Sequence, residues 1–397
     1  MATHLPRPDL FELPEDLIYL DGNSLGPLPK HAGARASEVI AREWGDQLIR
    51  AWNSAGWMAL PAKVGSRIAG LIGAADGSVA TGDTLSIKVY QALAAALNMR
   101  PDRRVILSDD GNFPTDLYMA EGLIRTLDKG YVLKTPAPED VLSELTDDVA
   151  VVMLTHVDYR TGRLHDMQAV TQAVHDAGAV MIWDLAHSAG ALPVDLTASN
   201  AEFAVGCTYK YLNGGPGAPA FIYVRPDIVL DLQPVLSGWL GHDAPFAMER
   251  HYRPAMSTER LRVGTPSVVQ LSILDAALDV WDGVDLRDIR AASIQLSERF
   301  ISEVEARCPM LTLASPRDPN MRGSQVSFAF QHGYPAMQAL IDRGVIGDFR
   351  QPNIMRFGFT PLYISEADVV RAAEILENVM TTEAWREPKY QTVSRVT

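Results

Sequence analysis

An aspartate and a lysine follow two consecutive predicted strands, so their side chains could meet in one pocket. Asp184 comes directly after the apolar run Val180–Trp183, in the string W-D-L-A-H. Lys210 follows a short strand predicted for Phe203–Cys207 and precedes the glycine-rich string N-G-G-P-G. Alone, such an aspartate is more often a helix N-cap or turn residue, and such a lysine is more often a solvated surface charge. Together, ahead of a glycine-rich loop, they favour a chemical role.

The pair suits the chemistry of pyridoxal 5'-phosphate (PLP). A lysine amine can form a Schiff base with the cofactor aldehyde, which holds the cofactor and activates it. A carboxylate can pair with the pyridine nitrogen and keep it protonated, so that the ring better accepts electrons released at a substrate α-carbon. Attraction between opposite charges favours the ionised form of both groups. We therefore predict that Lys210 and Asp184 bind PLP.

The string A-T-G-D-T-L-S at residues 80–86 could bind the cofactor phosphate. It lies just before a predicted helix, where backbone N–H groups and a threonine hydroxyl form an anion site. Taken alone, the string would more often be an ordinary capped helix start. Beside Asp184 and Lys210, the phosphate interpretation is favoured.

Two further side chains could contact the cofactor. Phe113 follows the predicted strand Val105–Leu107 and could stack on the pyridine ring, although a lone phenylalanine is more often a core residue. His187 lies about one helical turn past Asp184 and could contact the ring or the phosphate. Its alternative is a polar helix start.

Short apolar runs alternate with amphipathic stretches, which predicts an α/β fold. A mainly parallel sheet covered by helices accounts for this alternation, and its ligands would lie at the carboxyl ends of the strands. The predicted strands are Val105–Leu107, Val151–Leu154, Val180–Trp183, Phe203–Cys207 and Ala220–Val224, and the predicted helices include Lys88–Leu97, Asp116–Leu127 and Gln168–Asp176.

The C-terminal part changes character and predicts a smaller α+β domain. We place a large cofactor-binding domain at residues 46–264 and the small domain at 265–397, with an N-terminal segment at 1–45. The last residues, Glu387–Thr397, are expected to form a loose tail. The small domain's predicted helices are Ser267–Val280, Ala291–Ala306 and Glu366–Thr381, and its predicted strands are Gln325–Phe330 and Ile354–Phe359.

The composition limits the kinds of partner. The chain has 397 residues, of which 47% are hydrophobic and 21% charged, an ordinary globular balance. Its formal net charge of −14 disfavours a nucleic-acid or anionic-membrane partner, because phosphate binding needs a basic surface. Two cysteines without a C-x-x-C motif fit a reducing compartment. No signal peptide, membrane span or metal site is identified, and we expect a cytoplasmic protein that acts on a small molecule.

Several strings resemble those of kynureninases. They are Y-L-D-G-N-S-L-G-P-L-P at 19–29, D-L-A-H at 184–187, Y-K-Y-L-N at 209–213, G-W-L-G-H at 238–242 and P-L-Y at 361–363. The resemblance extends from about residue 19 to about residue 364. The aspartate and lysine strings are shared by many fold-type-I PLP enzymes of the aspartate aminotransferase-like superfamily, whereas the first and fourth strings are much more specific.

The resemblance implies a reaction and an assembly. It implies that water cleaves L-kynurenine to anthranilate and L-alanine, in a homodimer whose active sites are shared between subunits. It leaves open the preference between kynurenine and 3-hydroxykynurenine, with candidates for ring selection near Trp52–Trp57 and at His242. It also leaves open a role in tryptophan catabolism or in NAD biosynthesis.

The resemblance also implies residue roles. Lys210 would be the Schiff-base lysine and Asp184 the pyridine partner, while Arg356 would bind the substrate carboxylate. The planar fork of an arginine suits a carboxylate, and the apolar strand around Arg356 disfavours a surface role. The other implied contacts are Thr84 and the Asp83 backbone on the phosphate, Phe113 stacking on the ring, Tyr209 on the phosphate and in proton transfer, Thr155 facing the cofactor oxygen, and Trp239 and Thr265 from the neighbouring subunit.

Other proteins would share part of this pattern, and among them a catalytically inactive relative is disfavoured because every position that the chemistry requires is filled. An aminotransferase would share all the cofactor residues, so only the N-terminal and Gly-Trp strings disfavour it. A cysteine desulfurase needs a mobile reactive cysteine, whereas Cys207 is predicted in the core and Cys308 near a helix end without a glycine-rich loop. A PLP-binding regulator would need an attached DNA-binding domain and basic residues, which the net charge and the short segment before residue 20 disfavour.

Overall fold

Thirteen short strands form three sheets in the computed structural model of the protein, which describes residues 5–392. They are β1 (Ile18–Tyr19), β2 (Val79–Thr81), β3 (Val105–Leu107), β4 (Val132–Lys134), β5 (Val149–Thr155), β6 (Val180–Asp184), β7 (Phe203–Gly206), β8 (Phe221–Val224), β9 (Thr312–Leu313), β10 (Gln325–Ala329), β11 (Val345–Ile346), β12 (Asp348–Arg350) and β13 (Ile354–Gly358).

The large sheet has seven strands in the order β2-β8-β7-β6-β5-β3-β4. Strands β7, β6, β5, β3 and β4 are parallel to one another. Strand β8 is antiparallel to both of its neighbours, so β2 runs in the same direction as the parallel strands. The prediction of a mainly parallel sheet is therefore confirmed, with one reversed strand.

Helices connect and cover these strands. Helix α5 begins at Pro114. Proline is favoured in the first turn because the backbone N–H that it lacks would have no partner within the helix there. The helix ends at Asp128, which adopts the left-handed conformation with φ 49°. The helices are α1 (Lys30–Glu38), α2 (Ala51–Ser54), α3 (Leu60–Leu71), α4 (Leu85–Met99), α5 (Pro114–Leu127), α6 (Met167–Asp176), α7 (Leu196–Ser199), α8 (Val268–Ala277), α9 (Leu286–Arg307), α10 (Gly333–Ile341) and α11 (Glu366–Thr381).

Both faces of the large sheet are buried in apolar cores. In β3, alternate residues enter opposite cores, Val105 and Leu107 on one side and Ile106 on the other. Helices α4 and α5 supply much of one core, while the other continues into the C-terminal part of the chain. Burial on both sides explains why these strands are continuous runs of Val, Ile and Leu rather than alternating patterns.

A four-stranded antiparallel sheet with the order β12-β13-β10-β9 lies in the C-terminal part. Its register places Arg356 opposite Asp348 on one side and Ser327 on the other. A third, two-stranded sheet pairs β1 with β11 in parallel and so joins the N-terminal segment to this part of the chain. This pairing brings the signature string that follows β1 close to the small sheet. The domain boundary near Gly264 stays a prediction.

The observed elements differ from the predicted ones at a few places. The helix predicted for Ser267–Val280 ends at Ala277 and continues as a 3₁₀ turn, Leu278–Trp281. The prediction of a loose C-terminal tail was wrong for residues 387–392. Pro388–Tyr390 forms a 3₁₀ turn whose buried Tyr390 hydroxyl donates to Asp342 at 2.6 Å. Residues 393–397 of that predicted tail lie outside the described residues.

No helix within residues 5–392 is both long enough and apolar enough to cross a membrane.

Candidate active site

The carboxyl ends of the parallel strands bring most of the predicted site residues to one edge of the large sheet. Thr155 and Asp184 are register partners on adjacent strands, β5 and β6. The same edge carries Asp83 and Thr84 after β2, Phe113 after β3, His187 after β6, and Tyr209 and Lys210 after β7. The position of the pocket therefore follows from the topology, as the sequence predicted.

Lys210 and His187 are in direct contact. The lysine Nζ lies 2.9 Å from His187 Nε2, and His187 Nδ1 lies 3.0 Å from Oε1 of Gln325. Burial lowers the pKa of His187 well below its usual value, and the charges of Lys210 and Arg356 lower it further. The imidazole is therefore neutral, accepts from Lys210 at Nε2 and donates from Nδ1 to Gln325. Sequence reasoning did not predict this contact.

Asp184 is buried at the end of β6, with 2% of its surface exposed. Its Oδ1 accepts a hydrogen bond from the Ala186 backbone N–H at 2.7 Å. Burial raises the pKa of Asp184, while the positive charge of Lys210 and the Ala186 hydrogen bond oppose that rise. Because β6 and β7 are parallel neighbours, Asp184 and the Lys210 segment lie at the same edge of the sheet, as the proposed cofactor chemistry requires.

Asp116, on the first turn of α5, is a buried acid that the sequence analysis missed. Its carboxyl contacts that of Asp184 through a side-chain hydrogen bond. Burial raises the pKa of Asp116 well above its usual value, and the charge of Asp184 raises it further. The same hydrogen bond lowers the pKa of Asp184, so Asp116 holds the proton and Asp184 the negative charge. The only signal was an acid three residues after Phe113.

The loop before α4 has the features of a phosphate site. Thr84 is the N-cap residue of α4, yet its hydroxyl makes no capping hydrogen bond. The exposed Asp83 adopts a left-handed conformation with φ 56°, and its backbone oxygen accepts from Ala220 N–H at 3.1 Å. The fully buried Lys88, which sequence reasoning also missed, holds the Asp83 carboxylate at 3.0 Å. The fixed loop, the uncapped hydroxyl and the helix N-terminus fit a phosphate.

Phe113 and Thr155 lie near each other at the same edge. The half-exposed Phe113 ring packs edge-on against Tyr159, with centroids 5.3 Å apart, so one of its faces is available for stacking. Thr155 is buried, and its hydroxyl donates to Asn112 Oδ1, which also accepts from the Phe113 N–H at 2.7 Å. Asn112 therefore links the two predicted cofactor contacts.

Tyr209 precedes Lys210 and is half-buried. Burial and the neighbouring Cys207 raise the pKa of its hydroxyl. The Lys210 Nζ lies 5.7 Å from the centroid of the Tyr209 ring. The Tyr209 backbone oxygen accepts from the Gly26 N–H at 2.8 Å, so the N-terminal signature string packs directly against the lysine segment. The phenol remains protonated and can donate a hydrogen bond.

Arg356 is buried on β13 within a dense set of acceptors. Its Nε donates to Asp348 Oδ1 at 2.6 Å, and its Nη2 donates to Asp348 Oδ2 and to Ser24 Oγ. Its Nη1 donates to the backbone oxygen of Tyr159. Tyr159 also contacts Phe113 and accepts from Gln325 Nε2 at 2.9 Å, which connects Arg356 to the large-sheet pocket. Sequence reasoning missed Asp348, Gln325 and the part played by Ser24.

The structure does not bring Trp239 and Thr265 to Lys210. Trp239 is 42% exposed and packs edge-on against Phe246 at 5.7 Å, and Thr265 is also exposed. Among residues 5–392, no hydrogen bond or ring contact joins either of them to Lys210. Two of the candidates for ring selection are buried, Trp57, which donates to Glu43 at 2.7 Å, and His242, which accepts from the Ala244 N–H at 2.9 Å.

Both cysteines are buried, which disfavours a desulfurase. Cys207 lies just after β7 with 3% of its surface exposed, and burial raises the pKa of its thiol. Cys308 ends α9 fully buried, and burial raises its pKa to about 11. Neither thiol has the exposure or the lowered pKa of a reactive cysteine.

Solved structures share the fold at low identity. A cysteine desulfurase from Thermococcus onnurineus NA1 superposes with a TM-score of 0.81 at 18% identity, covering 96% of this chain and 100% of that one. The cystine C–S lyase C-DES, in complex with its product cysteine persulfide, superposes with a TM-score of 0.78 at 18% identity, covering 92% of this chain and 98% of that one. These likenesses confirm the fold-type-I architecture.

Sequence relatives are much closer. A family model described as the kynureninase C-terminal domain matches residues 289–376. Kynureninase of Burkholderia pseudomallei (strain K96243) is 53% identical over 99% of this chain and 96% of its own length. Kynureninase of Pseudomonas fluorescens is 51% identical over the same shares of the two chains. Identity of this degree along nearly the full length shows that the chain belongs to the kynureninase family.

Proposed function

We propose that Lys210 is the lysine to which PLP is covalently attached and that the pocket around it catalyses the family's reaction. That reaction is the cleavage of L-kynurenine by water to anthranilate and L-alanine. The observation that carries the assignment is that Asp184 ends β6 and Lys210 follows the adjacent parallel strand β7, so both groups lie at the same edge of the large sheet. When bound, PLP supplies an electron sink for the substrate α-carbon.

Different residues of the pocket would hold different parts of the cofactor. Asp184, kept anionic because Asp116 holds the proton, would face the pyridine nitrogen. Thr84 and the backbone at Asp83 would hold the phosphate, with Tyr209 as a further donor. Phe113 would stack on one ring face, while Thr155 and His187 would contact its polar substituents. Each role matches the side chain's position and protonation state.

Proton transfer would fall to Lys210 and Tyr209. Lys210 removes the proton from the substrate α-carbon, and the neutral His187 orients its nitrogen by accepting a hydrogen bond. Water adds to the ketone carbon of the side chain, the Cβ–Cγ bond breaks, Cβ receives a proton, and Lys210 returns a proton to the α-carbon. The ring-bearing fragment leaves as anthranilate and the rest as L-alanine. The protonated Tyr209 phenol would supply the proton at Cβ.

Arg356 would hold the substrate α-carboxylate. A buried guanidinium excludes water from this contact, and its charge would hold the carboxylate in a fixed position. The hydrogen bond from Arg356 to the Tyr159 backbone supports this placement, because Tyr159 also packs against Phe113.

We further infer a homodimer located in the cytoplasm. The exposed Trp239 and Phe246, which are in contact, support the dimer, since a contiguous apolar patch often marks an interaction surface. Trp239 and Thr265, exposed and away from Lys210, would reach the partner's pocket. The two buried free cysteines support a reducing compartment. The exposed apolar residues include Trp44, Leu48, Ile49, Trp239, Phe246, Met248 and Met256.

The assignment is tested by supplying L-kynurenine to the purified holoenzyme and following the fluorescence of anthranilate. Anthranilate release is expected, together with an equal amount of L-alanine. K210A should lose both turnover and the visible absorbance of the lysine-bound cofactor, whereas K129A, at an exposed position, should retain both. Consumption of kynurenine without anthranilate would indicate an aminotransferase instead. The same assay with 3-hydroxykynurenine measures the ring preference.

A further inference from the structure

Arg350, a second arginine with no role assigned so far, meets Arg356 at two shared acceptors. Arg350 Nη2 lies 2.7 Å from Asp348 Oδ2 and 3.3 Å from Ser24 Oγ. Arg356 Nη2 contacts the same two oxygens. Strand β12 carries both Asp348 and Arg350, and its register sets Asp348 opposite Arg356 on β13. The two guanidinium groups are therefore held side by side by one carboxylate and one hydroxyl.

Arg356 has little hydrogen-bonding capacity left for a ligand. A guanidinium has five N–H donors, and four hydrogen bonds within residues 5–392 already use the arginine's Nε, Nη1 and Nη2. A bidentate grip on a substrate carboxylate needs two free donors. Arg356 alone therefore cannot provide this grip while it keeps its contacts with Asp348, Ser24 and Tyr159.

Arg350 is the more accessible of the two arginines. Its side chain is 34% exposed, against 2% for Arg356. Its positive charge also lowers the pKa of His187 and opposes the rise in that of Tyr209. Because Arg350 shares Ser24 and Asp348 with Arg356, it lies beside the arginine expected to bind the substrate carboxylate.

The charges around these arginines do not cancel. Asp348 carries one negative charge between two positive ones, and the arginines hold the pKa of this carboxyl below its usual range. The other nearby acid is Asp21, where burial and the charge of Asp348 raise the pKa to about 8. Near neutral pH, Asp21 is mostly protonated, so the cluster retains one positive charge. A monovalent anion such as a substrate carboxylate would neutralise it.

We propose that Arg350 is a second carboxylate-binding residue and that the substrate α-carboxylate binds between Arg350 and Arg356. Asp348 and Ser24 are positioning residues in this arrangement, because they hold the two guanidinium groups at the spacing that one carboxylate can bridge. The proposal rests on the proposed role of Arg356 and extends it.

The test compares a ligand that has the carboxylate with one that lacks it. In the PLP-loaded enzyme, R350Q should raise KM for L-kynurenine roughly 10- to 100-fold, as expected for a lost charge-assisted hydrogen bond, and leave kcat within about threefold. Kynuramine, which is kynurenine without its α-carboxylate, is the second probe. Its Kd, measured from the change in cofactor absorbance, should be the same for R350Q and the wild type.

A matched control is R317Q, which removes an exposed arginine paired with Glu305 and should leave both constants unchanged. A KM for R350Q within twofold of the wild type overturns the proposal. So does a parallel rise in the kynuramine Kd, which would indicate a general distortion of the pocket.

Different outcomes would refute the proposed role of Arg356 and that of Arg350. R356Q with an unchanged KM would refute Arg356 as a carboxylate ligand and, with it, the shared site. A raised KM in R356Q together with a wild-type KM in R350Q would refute only Arg350. Absence of anthranilate from the wild type would instead refute the proposed reaction.

Discussion

The side-chain nitrogen of Lys210 lies 2.9 Å from Nε2 of His187, and the histidine is held from its other side by Gln325 of strand β10. A residue of the small antiparallel sheet thereby fixes the ring that orients the lysine of the large sheet. The two sheets therefore meet at the group proposed to carry the cofactor, and the lysine's direction depends on contacts from both.

This contact predicts unequal effects of two substitutions at His187. H187Q keeps an oxygen that can accept from Lys210 and should lower the PLP affinity less than tenfold. H187F removes the acceptor and should lower it roughly 10- to 100-fold, since a hydrogen bond to a charged group is lost. Fluorescence titration of the apo-protein with PLP measures both. Equal affinities for the two variants would show that the acceptor does not matter.

The acids Asp116 and Asp184 should differ sharply in their tolerance of substitution. D116N replaces a protonated carboxyl with a neutral group that still donates to Asp184, so kcat should fall less than about fivefold. D184N removes the negative charge and should reduce kcat by about 100-fold or more, as expected for a lost buried charge partner. Turnover of L-kynurenine at saturating PLP measures both. A D116N defect as large as that of D184N would contradict the assigned protonation states.

Removing Asp348 should destabilise the fold. D348N leaves the guanidinium groups of Arg350 and Arg356 without their shared carboxylate, and loss of one partner of a buried pair typically costs about 3–5 kcal/mol. Urea unfolding measures the change in the free energy of unfolding. The double variant D348N/R356Q serves as the control, because removing both partners should cost less than the sum of the single variants. Strict additivity would show that the pair is not coupled.

Asp21 should make stability depend on pH. Its pKa is raised from the ordinary value of 3.8 to about 8 by burial and by the charge of Asp348, so the native state binds more protons than the unfolded chain between these values. The contribution of Asp21 to the free energy of unfolding should therefore decrease as the pH rises from 4 to 8. D21N cannot ionise and should show a smaller decrease over this window. Urea unfolding of the wild type and D21N at pH 5 and pH 8 measures this difference. An equal loss in the free energy of unfolding for both proteins would contradict the raised pKa of Asp21.

Sequence reasoning located the main chemical groups because each stands in a short local string. Asp184 ends a strand and Lys210 precedes a glycine-rich loop. In both cases the structure has the local arrangement that the neighbouring residues predict. The parallel strands were also predictable, because burial on both faces leaves runs of Val, Ile and Leu. The direction of β8 was not, since an apolar run of four residues carries no information about the orientation of its neighbours.

The residues that were missed act through contacts between distant parts of the chain. Gln325 reaches His187 across 138 positions, and Ser24 reaches Arg356 across 332. Asp116 resembles an ordinary acid in the first turn of a helix. Such acids stabilise the helix N-terminus, so nothing in the sequence indicates a role in the pocket. In the sequence Lys88 resembles a surface lysine, whereas in the structure it is fully buried. In each case, only the packing of another element shows what the side chain does.

The parallel pairing of β1 with β11 has a practical consequence for engineering. It anchors residues 18–26 against residues 345–356, and the Gly26 amide then ties the first stretch to Tyr209. A homologue's counterpart of one stretch must keep the side-chain contacts with the other, such as those of Ser24 with Asp348 and Arg356. Chimaeras and combinatorial libraries built on this scaffold should therefore vary both stretches jointly.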